Sequence, residues 1–397
     1  MRGLDRHQPT GRVLLCAPCK GCDLDLEDNL RALLEQDYDD YEVAFIVESA
    51  DDPACPTIRR VMAAHHWMPT RLIVAGRAAE SGQKVHNLRV ATSRLSPRIK
   101  FLAFVDSDAR PRPEWLRMLI ARLHRPQMGA VTGYRWFVPE KDSLANHLLY
   151  SLNCNIMSLL GRNSHYLIWG GSWAIRRELF ESLGLHSAWK GTLSDDLVAR
   201  RLLSQARMEV RFEPACVVGS SIDNSLSGAI SFVRRQYLLA RIYARNWWTF
   251  AVLTVTFTNL IWLGNLGMFA WGLLSAASWT WIPPAVLTFL YFLRVYRGAV
   301  NQNLADLYFP HLRRSLRRAK RFDIWLQPLI SLTHGIVLWS SAVGRQVSWR
   351  GIDYRLSAGG KIQSSWRADD PAVIPMPGQA AGASKFSGKF ADYRKAG

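Results

Sequence analysis

The chain has 397 residues, 49% of them hydrophobic, with a net charge of +18 and a mean hydropathy of -0.05. That apolar content excludes a wholly disordered chain, and the length suits two or three domain-sized units. Near-neutral hydropathy beside a pI of about 10.0 fits neither a polar nucleic-acid binder nor an ordinary soluble enzyme, so the charge is expected to be unevenly spread.

Residues 12–16 (RVLLC) predict a short buried strand, and LEDNLRALLEQ has apolar residues at helical spacing. YEVAFIVES is a second strand that ends in the acidic SADDPA. Residues 56–65 predict a helix, RLIVAG a third strand, and SGQKVHNLRVATSRL a loop leading into a helix. IKFLAFVDSDARP is a fourth strand running straight into acidic positions. Short apolar strands alternating with helices argue an α/β fold with a mostly parallel sheet covered on both faces. Ligands of such sheets bind beyond the carboxyl ends of the strands. Glu48, Asp51 and Asp52 sit at one such end, Asp106 and Asp108 at another. Cys16, Cys19 and Cys22 form a C-x-x-C-x-x-C, but no partner pair follows at metal-ligand spacing, so reduced thiols beside a strand end are expected.

The next stretch is less regular. AVTGYRWF is a further strand, SLANHLLYSLNCNIMSLL a largely apolar helix, and WGGSWAIRRELF a glycine loop leading to a strand and a helix start. LSDDLVARRLLSQ places Ser-Asp-Asp at a helix entrance. MEVRFEP is a last strand, and AISFVRRQYLLARIYARNWW a basic, aromatic helix.

Residues 246–397 hold 17 basic and only 6 acidic side chains, yet residues 246–293 contain no charge at all. A spanning helix needs about 20 apolar residues, so two fit here, with a turn near residues 275–284. A second uncharged run, residues 324–344, has the length of one more span. Ten of the 16 Trp lie from Trp247 to Trp366, many near the ends of these runs, as in an interfacial belt. RRSLRRAKR, with no acid, predicts the cytoplasmic side and attraction to anionic membrane lipids. Both flanks of the third run prefer that side, which leaves a span and a re-entrant run as alternatives. No signal peptide or N-terminal span is visible. The expectation is an integral membrane protein with a cytoplasmic catalytic domain and no nucleic-acid partner.

Two Asp one residue apart, just past a buried strand, suit a divalent cation (Mg²⁺ or Mn²⁺) shared with substrate phosphates; a plain turn is the alternative. At the Ser-Asp-Asp helix entrance, Asp195 suits an N-cap, which leaves Asp196 free as a general base. Lys84 is placed to meet a diphosphate as a point charge.

The order QDYDDYEVAFIVESADDPA, GQKVHNL, VDSDARP, GGSWAIRRELF, SDDLVARRL and SWRGIDYRL resembles the ceramide glucosyltransferase branch of the family-two glycosyltransferases, over roughly residues 12–356. The resemblance implies a GT-A nucleotide-sugar-binding domain followed by C-terminal transmembrane helices. It also implies transfer of glucose from a UDP-sugar donor to a membrane lipid acceptor, with inversion. Residue by residue, it implies that Glu48, Asp52, Lys84, Asn87, Asp106 and Asp108 face the donor, with Asp106 and Asp108 on the metal. Asp196 matches the general base. Gly170, Gly171 and Trp173 match the acceptor-side loop, joined by Arg234, Arg235 and Gln236. One departure stands out. The family's Q/R-x-x-R-W motif reads FVRRQYLLARIYAR here, with no Arg-Trp; Arg241, Arg245 and Trp247 are the candidates to substitute.

The expected organisation is residues 1–230 as the GT-A domain and 231–248 as an interfacial helix. Residues 249–344 form a transmembrane region of two to three helices with a basic loop at 294–323. Residues 345–397 carry the W-R-G-x-x-Y-R-L segment and a disordered tail. The competing functions are a processive polysaccharide synthase of the same fold and a non-catalytic lipid-binding membrane protein. The four carboxylate positions argue against the second.

Overall fold

The computed structural model describes residues 9–161 and 167–367. The first part alternates as β1 (Arg12–Pro18), α1 (Leu26–Leu34), β2 (Tyr41–Val47), α2 (Cys55–Ala64), β3 (Thr70–Val74), α3 (Gln83–Ala91), β4 (Ile99–Val105) and α4 (Trp115–Ala121). Then come β5 (Met128–Pro139), α5 (Leu144–Met157), β6 (Ser172–Arg176), the short α6 (Arg177–Ser182) and α7 (Leu185–Ala188), α8 (Asp195–Gln205), β7 (Glu209–Ile222) and α9 (Leu226–Tyr243). These seven strands form one sheet in the order β3-β2-β1-β4-β6-β5-β7. Strand β6 runs antiparallel to β4 and β5, and every other pairing is parallel. The expected mostly parallel α/β sheet is therefore what forms.

Period-two alternation splits the core into two layers. Val13, Leu15 and Ala17 of β1 pack on one face with α1, α2 and α4; Leu14 and Cys16 pack on the other with α3 and α8. Helix α4 has no counterpart in the sequence reading. Six of its seven residues are buried, so no polar face marks a helical period. Among the cysteines, Cys19 Sγ donates to Ala17 O, and burial pushes the Cys16 thiol up to about 12.

The C-terminal part holds α10 (Arg245–Leu274), α11 (Ile282–Tyr308), α12 (Arg317–Trp325), α13 (Gln327–Ser340), β8 (Gln346–Trp349), β9 (Ile352–Leu356) and β10 (Ile362–Arg367). The turn between α10 and α11 falls where Ser275 and Pro283 interrupt the apolar run. Helix α10 alone among the described residues is long and apolar enough to cross a membrane. Its Phe257, Leu263 and Leu274 are exposed.

The other expected spans fall short of that length and composition. Helix α11 is uncharged only over its first twelve residues, before Arg294 and Arg297. Helix α13 has 14 residues, a reach of about 21 Å against a hydrocarbon core of about 30 Å, which suits the re-entrant alternative. The expected basic loop at 294–323 is mostly helix: α11 continues to Tyr308 and α12 begins at Arg317. The expected interfacial helix at 231–248 breaks at Ala244, and Trp247 and Trp248 belong to α10.

The segment after Ser357 corrects the expectation further. Strands β8, β9 and β10 form a second, antiparallel sheet. Val347, Ile352, Tyr354 and Leu356 join the core layer of α3 and α8, which docks this sheet on the catalytic fold. Burying each such side chain contributes about 1.5–3 kcal/mol. The rest of the expected tail, 368–397, lies outside the described residues.

Candidate active site

The carboxyl ends of β1, β2 and β4 open toward one side of the sheet. Because β6 runs antiparallel to β4, its start lies beside the end of β4, with Val105 opposite Ser172. That pairing brings the Gly170-Gly171 loop onto Asp106, whose N–H donates to Gly171 O at 3.3 Å. A Cβ on Gly171 would sit 2.6 Å from Asp106 Oδ2 and 2.3 Å from the Trp169 ring, so only glycine permits this approach.

Helix α8 points its first turn at the same place. Ser194, not Asp195, is the N-cap, accepting from Leu197 N–H at 3.3 Å. This overturns the expected capping role of Asp195, which is instead 2% exposed and leaves Oδ2 without a partner. Asp196 Oδ2 accepts from Gly170 N–H at 2.9 Å, and Oδ1 accepts from Leu197 N–H at 2.7 Å and from the Ser194 hydroxyl. A carboxylate has about four acceptor positions, so one remains open toward the cavity.

Lys84, in the first turn of α3, binds this group together. Its Nζ lies 2.6 Å from Asp106 Oδ1 and 3.5 Å from Asp195 Oδ1, and it donates to Gly170 O at 3.3 Å. Burial pulls the ammonium down, but Asp106, Asp195 and Asp196 outweigh it and hold Lys84 well above the ordinary lysine range. Burial pushes Asp106 up, yet Lys84 and Arg135 prevail and lower it. Asp108 is raised by burial and by Asp106 and Asp23, against Arg135, whose Nη1 lies 3.0 Å from Asp108 Oδ2. Burial, with Asp196 and Asp106 adding to it, pushes Asp195 up to about 7 against the pull of Lys84.

These residues line a cavity of about 1230 Å³. It runs from Asp106, Asp108 and Asp196 past the end of α5 to Trp248, Phe250 and Thr254 on α10. One end is charged and the other is set against the most apolar helix of the chain.

Of the residues singled out in the sequence, Lys84, Asn87, Asp106, Asp108, Gly170, Gly171, Asp196, Arg235 and Gln236 line this cavity. Asp195, Trp247, Cys19 and Cys22 line it as well, whereas Glu48, Asp51, Asp52, Trp173, Arg234, Arg241 and Arg245 do not. Asp52 shapes the backbone, accepting from Gly21 N–H at 2.8 Å and Ala54 N–H at 2.9 Å. Glu48 pairs with Lys20 at 2.9 Å and with Arg367 of β10. Trp173 is fully buried and stacks on Phe104 at 4.4 Å, inside the core rather than toward an acceptor. Arg234 turns away to Val343 O, and Arg241 to Ala342 O and Gly344 O. Asn87 lines the wall with its amide already used, accepting from Gln83 and donating to Ile46 O.

Sequence reasoning missed Lys20, Asp23, Arg135 and Arg350, which also line the cavity. Asp23 was findable, since it follows β1 at the same end as the other acids. Arg135, a lone charge within a strand, carried no local signal, whereas Arg350 lies in the SWRGIDYRL segment, whose motif gave it no role.

Hard oxygen donors at Asp106 and Asp108 suit a divalent cation, and Asp108 Oδ1 is buried without a hydrogen-bond partner. No group of three or more His, Cys, Asp or Glu among the described residues is arranged to hold a metal by itself. The residues therefore fit an ion that takes its other ligands from phosphate and water, the usual habit of Mg²⁺.

The sequence model of glycosyl transferase family 21 matches residues 5–362. Among solved structures, the chain is similar to a mannosyltransferase, PcManGT from Pyrobaculum calidifontis, in complex with GDP-Man and Mn²⁺. Identity is 17%, the TM-score is 0.46, and the match covers 81% of this chain and 89% of that one.

Proposed function

We propose that this glycosyltransferase, which belongs to glycosyl transferase family 21, moves a glucosyl group from UDP-glucose to the hydroxyl of a membrane lipid of ceramide or diacylglycerol type. The observation that carries this reading is the cavity itself. It joins Lys84, Asp106, Asp108 and Asp196 to the aromatic, apolar start of α10. A sugar nucleotide suits the charged end, and a long-chain acceptor suits the other.

The reaction is a single displacement. Asp196 takes the proton from the lipid hydroxyl as its oxygen bonds to the anomeric carbon. The bond from that carbon to the diphosphate breaks on the opposite face, so the configuration inverts. Lys84 gives the departing diphosphate a positive charge in a site largely shielded from water. A divalent cation, Mg²⁺ or Mn²⁺, held by Asp106 and Asp108 would neutralise further charge on that leaving group. Gly170 N–H aims the Asp196 carboxylate.

Helix α10 anchors the protein, with the catalytic domain on the cytoplasmic side. The arginines of the 313–321 segment meet anionic lipid headgroups there. The test is transfer from UDP-glucose in lipid nanodiscs carrying either acceptor class. Asp196→Asn is expected to abolish transfer while UDP-glucose still binds. Retained turnover would refute the base assignment, and inactivity of the wild type with every hydroxyl lipid would refute the acceptor.

A further inference from the structure

The family resemblance calls for an arginine on the helix before the membrane segment, and this chain has Leu238 and Leu239 where Arg-Trp would fall. Neither Arg234 nor Arg241 reaches the cavity from that helix. Two other guanidinium groups do. Arg235 lies 5.1 Å from the Phe232 ring and 5.3 Å from the Trp349 ring, and donates to Ser348 O at 3.4 Å. Among the described residues it forms no ion pair, and Asp108 is the acid that supports its charge from further off. Arg350 comes from the C-terminal sheet, held by Asp23 and close enough to Asp106 and Asp108 for both to sustain its charge.

We propose that Arg350 and Arg235 together bind the diphosphate of the sugar nucleotide, so that the C-terminal hairpin adds a second guanidinium group to the one α9 supplies. This rests on the nucleotide-sugar reading above.

Three features support it. First, Arg235 is a cavity-lining cation outside the ion pairs around it. Lys84 serves Asp106 and Asp195, Arg135 serves Asp108 and Arg350 serves Asp23, while Arg235 meets only aromatic rings and a carbonyl. Burial lowers Arg235 to about 10, with Arg135 and Arg350 lowering it further against Asp108, so the fold holds like charges together at a cost. A diphosphate offsets that cost, and planar guanidinium groups match its oxygens in pairs.

Second, Arg350 occupies a conformation that disfavours it. Trp349 pairs with Ile352, so Arg350-Gly351 is a two-residue hairpin loop, with φ of 51° and 75°. Such turns prefer Asn-Gly or Asp-Gly, because both residues are left-handed. An arginine there is a local sacrifice of stability, of the kind found at ligand sites.

Third, the hairpin is firmly placed. The Tyr354 hydroxyl accepts from Gln83 N–H at 3.2 Å, directly before Lys84, and Arg367 pairs with Glu48. The turn is therefore fixed relative to the donor loop.

The experiment uses the full chain in detergent, with UDP, GDP and UMP as probes. The wild type is expected to bind its nucleoside diphosphate more tightly than the monophosphate. In Arg350→Asn, diphosphate affinity is expected to fall on the order of 10-fold or more, with UMP affinity nearly unchanged. The thermal midpoint of that variant stays level or rises, since Asn suits the turn. Arg350→Lys restores part of the affinity. A diphosphate preference that survives in Arg350→Asn, or equal losses for UDP and UMP, overturns the proposal alone. A wild type that prefers neither UDP nor GDP to UMP overturns the nucleotide-sugar reading as well.

Discussion

Replacing Gly170 with alanine tests the placement of Asp196 without touching a charge. A Cβ there would lie 3.0 Å from Asp196 Oδ2, 3.1 Å from its Cγ and 3.2 Å from Lys84 Nζ. Ordinary contact begins near 3.4 Å, so the carboxylate must retreat by about 0.4 Å, and both neighbours are already held by other partners. That retreat lengthens the 2.9 Å bond from Gly170 N–H and turns the open lone pair away from the acceptor. Misplacement of about 1 Å costs about 100-fold in rate, so a fraction of that predicts a loss in kcat of about 10-fold. The added methyl also presses on Lys84 Nζ, so the donor KM should rise modestly, and kcat is read at saturating donor. Gly171→Ala provides the contrast: its Cβ would meet Asp106 Oδ2 and the Trp169 ring well inside contact distance. Overpacking of that kind costs about 1–3 kcal/mol, so this variant should lose thermal stability and donor affinity together. The assay is initial-rate transfer with donor and acceptor varied in turn, beside a thermal melt. Full kcat in Gly170→Ala would show that the carboxylate it touches is not the base.

Two further outcomes follow from the same geometry. Asp195, raised to about 7, keeps a proton in the folded state that its unfolded form gives up near 4. Its contribution to stability is therefore complete below about pH 4 and is lost as pH rises through 7. Asp195→Asn should flatten that decline, read as a smaller drop in thermal midpoint between pH 5 and pH 8; an unchanged drop would contradict the assignment. Chelation should silence the wild type, with Mn²⁺ or Mg²⁺ restoring it, and Asp108→Ala should need about 10-fold more cation. An identical cation requirement in that variant would place the ion elsewhere.

Strand ends were legible because the signals there are local. A run such as FLAFV is too apolar for a surface, and two Asp one residue apart directly after it must lie at its carboxyl end. The same logic located Lys84 and the start of α8. It failed for Asp52 and Trp173, where the motif gave a position in the chain but not a direction. Asp52 Oδ1 accepts from Gly21 N–H and Ala54 N–H, which turns that oxygen to the backbone of two loops. Trp173 follows the pleat of β6, and its alternation sends the ring into the core against Phe104. The expected membrane spans meet a related limit, since among the described residues α10 alone has the length and apolar content of a span. Lack of charge measures composition, whereas crossing a bilayer also requires helix length, and α13 stops after 14 residues.

The uneven charge has a second meaning that composition could not convey. The surplus of basic residues beyond residue 246 suggests attraction to anionic lipid, and the exposed arginines of the 313–321 segment fit that use. Part of the surplus, however, faces inward. Arg350 pairs with Asp23 and Arg367 with Glu48, each joining the C-terminal part to an acid of the catalytic sheet or its loops. A half-exposed pair such as Arg350 with Asp23 contributes about 0–1 kcal/mol, and the shielded pair of Arg367 with Glu48 must first offset its own desolvation, so charge alone does not dock the hairpin. The apolar contacts of Val347, Ile352, Tyr354 and Leu356 do that. What the charges add is direction: they orient a tight turn so that one of its guanidinium groups reaches the acids that close the donor site. A sheet of four-, five- and six-residue strands has too short a period to be read from sequence, and its partners lie far off in the chain, Gln83 being 271 positions from Tyr354. The chemistry of this site is thus split between a sheet whose pattern is local and a hairpin whose placement depends on packing.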